Sequence, residues 1–110
     1  MTDLARQHCA PLPPGTPPLT ARDWQTLQSQ LDAAWQLVDG HHLRRVWRLA
    51  DFASGLALVN RIGALADAED HHPDLLLAWG RVEITLWTHS VGGLSRNDFI
   101  LAAHIDRLTP

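Results

Sequence analysis

The chain contains no lysine and a single cysteine, Cys9, and nowhere carries an unbroken apolar run of membrane-spanning length. Each shortage excludes a kind of chemistry. Without lysine there is no amine to form a Schiff base with a carbonyl substrate. One thiol closes no intrachain disulfide and supplies too little thiolate for a structural zinc site, so a reducing, cytoplasmic compartment is expected. The N-terminal stretch interrupts its apolar residues with Asp3, Arg6 and His8 and so lacks the core of a secretory signal. No later segment approaches the roughly 20 apolar residues that a bilayer span needs.

Positive charge is also scarce. Nine arginines stand against twelve acidic residues, a formal net charge of -3, which argues against a domain that binds nucleic acid by neutralising phosphates. Arg44, Arg45 and Arg48 form the only basic group, and their alternation with Leu43, Val46 and Leu49 reads as the solvated side of a strand. With 110 residues, 45% of them apolar, the chain can build one modest core and has no room for a second catalytic domain.

Residues 1–18 end in a proline-rich run, Pro11 to Pro18, whose prolines remove backbone donors and impose extended geometry. A flexible leader is expected there, and a folded domain over residues 19–110. Thr20 and Asp23 approximate a capping box ahead of Trp24, Leu27 and Leu31, which predicts a helix over residues 21–31. Residues 35–38, the turn Asp39-Gly40 and residues 42–49 read as a hairpin. From Asp51 the period lengthens, and Phe52, Leu56, Val59, Ile62 and Ala66 give a helix to about Asp67. Residues 75–78 and 82–89 predict a second hairpin, with Val82, Ile84, Leu86 and Thr88 on one face and Glu83, Thr85, Trp87 and His89 on the other. Gly92-Gly93 ends the sheet, Ser95 can cap, and Phe99, Ile100, Ala103 and Leu108 mark a closing helix. The order α-ββ-α-ββ-α implies an α+β fold, a four-stranded antiparallel sheet with helices packed on one face.

The chemistry concentrates in Asp67-Ala68-Glu69-Asp70-His71-His72-Pro73, with Thr88-His89 at the end of the last strand. Histidine is the side chain whose ordinary pKa lies nearest neutrality, so three imidazoles near carboxylates suggest proton transfer. Pro73 disfavours the α region for His72 and puts the pair in an extended turn. Residue types alone leave three readings open: an acid-base site, a two-histidine metal site completed by Asp67 or Asp70, and a structural turn. Metal is disfavoured because adjacent residues of an extended segment point apart and no i,i+4 histidine pair occurs. His41-His42 read as solvated turn residues, and His8 and His104 are assigned no chemical role. Cys9 lies in the leader, while Ser90 and Ser95 lack a nucleophile elbow, so covalent catalysis is unsupported.

The spacing Asp67, His71, His72, Pro73, Trp79, His89 and Asp98 resembles the pterin-4a-carbinolamine dehydratases, whose animal members also serve as dimerisation cofactors of a homeodomain transcription factor. Leu37-Val38-Asp39-Gly40, Phe52-Ala53, Leu58-Val59-Asn60, Ile84-Thr85-Leu86 and Gly92 to Ile100 extend the likeness over roughly residues 19–108. Glu83 stands where some relatives have histidine, Trp79 replaces a more usual tyrosine, and Asp67 shortens a common glutamate. The resemblance implies a 4a-hydroxytetrahydrobiopterin dehydratase, a hydro-lyase with no metal or organic cofactor, serving tetrahydrobiopterin recycling. His71, His72 and His89 would be catalytic. Asp67, Pro73, Trp79, Thr88, Ser90, Val91 and Asp98 would bind the pterin, Asp67 also holding a histidine in its tautomer. A homodimer or homotetramer is implied, without membrane or direct nucleic-acid contact. The alternative is a non-catalytic interaction or assembly module of the same fold.

Overall fold

A computed structural model describes residues 3–108; Met1 and Thr2 of the expected leader and Thr109 and Pro110 of the expected domain lie outside the described residues. Three helices, α1 (Ala21–Gln28), α2 (Phe52–Glu69) and α3 (Arg96–Leu108), accompany four strands, β1 (Gln36–Val38), β2 (His42–Arg48), β3 (Asp74–Ala78) and β4 (Arg81–Leu86). The strands form one antiparallel sheet in the order β1-β2-β4-β3, with helices on one face. This is the expected α+β architecture. Each hairpin turns on a glycine in the left-handed region, Gly40 at φ 62° and Gly80 at φ 71°.

Element ends follow local chemistry. Asp23 accepts the Thr20 N–H at 3.1 Å, the half of the capping box that holds the start of α1. That helix stops at Gln28, three residues short of expectation, although Leu31 remains in the core. The Asp51 side chain accepts the Ser54 N–H and begins α2. α2 lies close to the sheet at Gly55, where a Cβ would come within 2.8 Å of Leu77 Cδ1.

The inner sheet face carries Leu43 of β2 with Val82, Ile84 and Leu86 of β4, all fully buried. Arg45 lies on that face too, which corrects its assignment to a solvated side. Strand alternation separates it from Arg44 and groups it with Leu43 and Trp47. Its guanidinium sits 4.7 Å from the Trp47 ring centroid and 6.0 Å from that of Trp35, and donates to Asp106 Oδ1 at 2.7 Å, which also accepts the Trp35 indole N–H. Arg44 belongs to the other face, where it pairs with Glu83.

α3 is buried nearly all round, with Phe99, Leu101, Ala102 and Ile105 inaccessible to solvent. A helix apolar on every side must be covered on every side. The sheet and α2 cover part of it, and residues 3–10 cover the rest. Where flexibility is expected, Leu4 is fully buried in the core, its N–H bonded to Gln30 Oε1, and the Gln7 carbonyl pairs with His104 Nε2.

Candidate active site

The site is built where α2 ends. Asp70 takes the left-handed conformation at φ 51°, its N–H reaching back to the Ala66 and Asp67 carbonyls, and the His71 N–H also bonds the Ala66 carbonyl. This C-cap reverses the chain, and Pro73 then holds His72 extended. Neighbouring side chains therefore diverge. His71 turns towards the start of α3, its Nε2 at 2.6 Å from Asp98 Oδ1. His72 turns back along α2, its Nε2 at 2.9 Å from Asp67 Oδ1 in an exposed pair.

Asp98 is wholly buried at the third position of α3. A carboxylate removed from water needs donors to replace it, and Asp98 has three. Besides His71, its Oδ2 accepts the Ser95 N–H at 2.9 Å and the Thr88 hydroxyl at 2.8 Å. Thr88 spends its one hydroxyl proton on Asp98, so the Ser95 hydroxyl donates to Thr88 Oγ1 at 2.7 Å. Ser95 thus caps through its backbone while its side chain serves the site. Because a carboxylate only accepts, His71 presents Nε2–H to it, and its Nδ1 is left as the nitrogen that can take or give a proton.

The last strand is shorter than expected. β4 ends at Leu86; Thr88 bridges to Gly93, and His89–Val91 form a single 3-10 turn closed by Gly92 at φ 69°. His89 is exposed and stacks on Trp87, ring centroids 3.7 Å apart. Trp87 in turn meets His41, which contacts His42, so those two histidines join a ring ladder and are not merely solvated turn residues. No hydrogen bond or ring contact among the described residues joins His71, His72 and His89 to one another. Ser90 and Thr88 line the same cavity as His71, while Val91 bonds back through its N–H to the Thr88 carbonyl. Pro73 shares a second, more open groove with Asp67 and His72. Trp79 stands 72% exposed on the β3–β4 turn. It lies at the opposite end of β4 from Thr88, roughly 23 Å away by strand rise, so the fold of this chain does not bring it to His71.

The His71 cavity has a volume of about 220 Å³ and is closed on one side by Cys9, Pro11 and Leu12. Glu69 holds that segment, its carboxylate accepting the Cys9 N–H and pairing with His8 Nδ1, both at 2.8 Å. Burial pulls the Glu69 carboxyl up, but the hydrogen bonds from His8 and the Cys9 N–H, with the nearby His8 and His104 rings, outweigh it and hold the group below its ordinary value. Burial, reinforced by the Glu69 charge and hydrogen bond and by Asp98, pushes the Cys9 thiol up to about 12. It is no nucleophile near neutrality. His8, Glu69 and His104 bring ligand-type atoms within 4.8 Å of one another, yet each is already engaged in holding the leader, His104 through the Gln7 carbonyl. Sequence reasoning missed Glu69 and Asn97. The five consecutive apolar residues Phe99 to Ala103, too many for a helix with one exposed face, were the available signal.

A small α+β domain with a carboxylate-oriented histidine beside a cavity has the parts that proton transfer needs. Residues 17–108 match the family described as pterin 4 alpha carbinolamine dehydratase. A relative from Rubrobacter xylanophilus, named as a candidate pterin-4-alpha-carbinolamine dehydratase, is 46% identical over 98% of this chain and 100% of its own. One from Alkaliphilus metalliredigens, named likewise, is 45% identical over 97% of this chain and 96% of its own. Among solved structures, a transcriptional coactivator/pterin dehydratase from Brucella melitensis superposes with a TM-score of 0.77 at 30% identity, covering 84% of this chain and 99% of that one. The chain belongs to the pterin-4a-carbinolamine dehydratase family, which makes it an enzyme of the hydro-lyase class.

Proposed function

We propose that this enzyme removes water from 4a-hydroxytetrahydropterin to give quinonoid dihydropterin, by histidine acid-base catalysis. The observation that carries the reading is the 2.6 Å pairing of His71 Nε2 with buried Asp98 beside the cavity. The C4a hydroxyl leaves as water once it receives a proton, and a ring N–H must lose one as the C=N bond forms. Atoms balance with one acid and one base and no external oxidant. His71, with Nδ1 free, supplies one of these functions and His89 the other, each positioned group contributing roughly 100- to 10,000-fold. His72 orients the pterin or substitutes as acid for one stereoisomer of the hydroxyl, with Asp67 fixing its tautomer. Thr88, Ser90, Val91 and Pro73 border the ring system. The product feeds tetrahydrobiopterin recycling in the cytoplasm, and the working form is a homodimer or homotetramer. Among the described residues no helix is long and apolar enough to cross a membrane.

Turnover of freshly generated carbinolamine, with and without chelator, tests this. His71→Ala and His89→Ala should each lose most of the rate, and full activity in both would refute the scheme. A second reading, an interaction module, draws on the description of the Brucella protein as a transcriptional coactivator and on the exposed apolar side chains Phe52, Leu56, Leu76 and Trp79. Wild-type protein without dehydratase activity would favour it.

A further inference from the structure

We propose that the N-terminal leader is part of the substrate site: residues 9–12 form one wall of the pterin cavity, and Glu69 and Asn97 clamp that wall over His71. The inference rests on reading the His71 cavity as the pterin pocket. Its basis is a set of clasps that share their backbone segments with the catalytic pair. Asn97 makes a two-bond pairing with Ala10, its Oδ1 accepting the Ala10 N–H at 3.1 Å and its Nδ2 donating to the Ala10 carbonyl at 2.8 Å. The Cys9 thiol donates to the Asn97 carbonyl at 3.4 Å. Asn97 immediately precedes Asp98, and Glu69, which binds the Cys9 N–H, lies two residues before His71. The clasps therefore tie the leader to the two segments that carry the His71–Asp98 pair.

Both ends of the strap are fixed. Leu4 is buried in the core, and the Leu19 N–H bonds the Leu94 carbonyl at 2.8 Å. Between them, Pro11, Pro13 and Pro14 restrict the chain before it docks, which lowers the entropy cost of holding it in place. The resulting slot is two-sided. Cys9, protonated near neutrality, with Pro11 and Leu12 offers an apolar wall, while His71, Thr88 and Ser90 bring polar groups. Such a slot suits a flat heteroaromatic bicycle with an apolar face and a hydrogen-bonding edge. Glu69 and Asn97 act as positioning residues.

The test breaks the clasp from each side in the full chain. Asn97→Ala removes it from α3, and Ala10→Pro removes the leader's N–H without touching α3. Ala10→Pro, which removes one bond, should raise KM for the carbinolamine by roughly ten-fold, and Asn97→Ala, which removes both, by at least as much, with kcat within about two-fold of wild type. Wild-type KM in both variants would overturn the proposal. Cys9 is the sole thiol, so its modification by an excess of a small methanethiosulfonate at pH 9 to 10, where more of the reactive thiolate is present, gives a second readout. A saturating tetrahydropterin lacking the 4a-hydroxyl should slow that modification in wild type, and an unchanged rate would equally overturn the wall. If wild type fails to turn over the carbinolamine, the dehydratase reading falls, while protection of Cys9 still decides the wall.

Discussion

His71 Nε2 lies 2.6 Å from Oδ1 of the fully buried Asp98, whose other oxygen is taken by Thr88 and Ser95. That carboxylate has no surface left for a ligand, so its contribution is to fix which His71 nitrogen carries the proton. Asp98→Asn keeps the shape but offers an amide that can present N–H to the ring and reverse the tautomer. We expect kcat to fall by roughly 100- to 10,000-fold with the fold retained by circular dichroism. Asp67→Ala breaks only an exposed pair and should cost less than about ten-fold. Equal losses in the two variants would sink this division.

The sequence made Asp98 visible as a site residue but not its partner. The resemblance to the pterin-4a-carbinolamine dehydratases implies one site for His71, Thr88 and Asp98, yet only the αL turn at Asp70 shows that His71, and not His72, faces α3. Alternation gave the inner face of β4 because Val82, Ile84 and Leu86 alternate without conflict. In β2 the three arginines misled, because one of them, Arg45, is buried beside tryptophans on the inner side. The docking of the leader was hidden for a similar reason. Proline-rich composition speaks for local stiffness, whereas Leu4, Cys9 and Ala10 are held by Gln30, Glu69 and Asn97, partners 26 to 87 residues away.

Two groups in the leader clasp set pH edges of opposite sign. The Cys9 thiol is raised from its ordinary 9.0 to about 12, so its contribution to stability is full below pH 9 and drains away as pH rises towards 12. Glu69 is depressed below its ordinary 4.5, so its contribution is present above that value and is lost as pH falls through the lower, folded-state value. Urea midpoints for wild type should therefore decline between pH 8 and 10.5 more steeply than for Cys9→Ala. Glu69→Gln should flatten the acid limb below pH 4.5. Parallel curves for variant and wild type on either limb would refute the corresponding assignment.

Buried Arg45 and partly buried Asp106 form an ion pair at 2.7 Å, with the Trp35 indole sharing the same carboxylate oxygen. Removing the cation leaves the Asp106 charge with only the Asp32 and Trp35 N–H donors among the described residues. Arg45→Ala should cost about 3–5 kcal/mol in urea denaturation, and Arg45→Lys should recover only part of it because an ammonium lacks the planar fork that lies along Trp47. Arg45→Ala together with Asp106→Ala should be less harmful than the sum of the single changes. A cost below about 1 kcal/mol for Arg45→Ala would show that the pair is not buried as described.

The approach of α2 to the sheet makes two glycines of one helix respond differently to the same substitution. At Gly63 a new Cβ meets nothing within 4 Å, so Gly63→Ala should gain the helix-propensity difference, about 0.5–1 kcal/mol. At Gly55 the Cβ would stand 2.8 Å from Leu77 Cδ1 and 3.4 Å from Leu49 Cδ1 and Val82 Cγ2. The Leu77 tip must turn away while Leu49 and Val82 already stand close to the new Cβ, and overpacking of this kind costs about 1–3 kcal/mol against the same propensity gain. Urea midpoints should rank Gly63→Ala above wild type and wild type above Gly55→Ala. A gain at Gly55 equal to that at Gly63 would mean that α2 sits further from β3 and β4, and then the αL turn at Asp70 would no longer deliver His71 to Asp98.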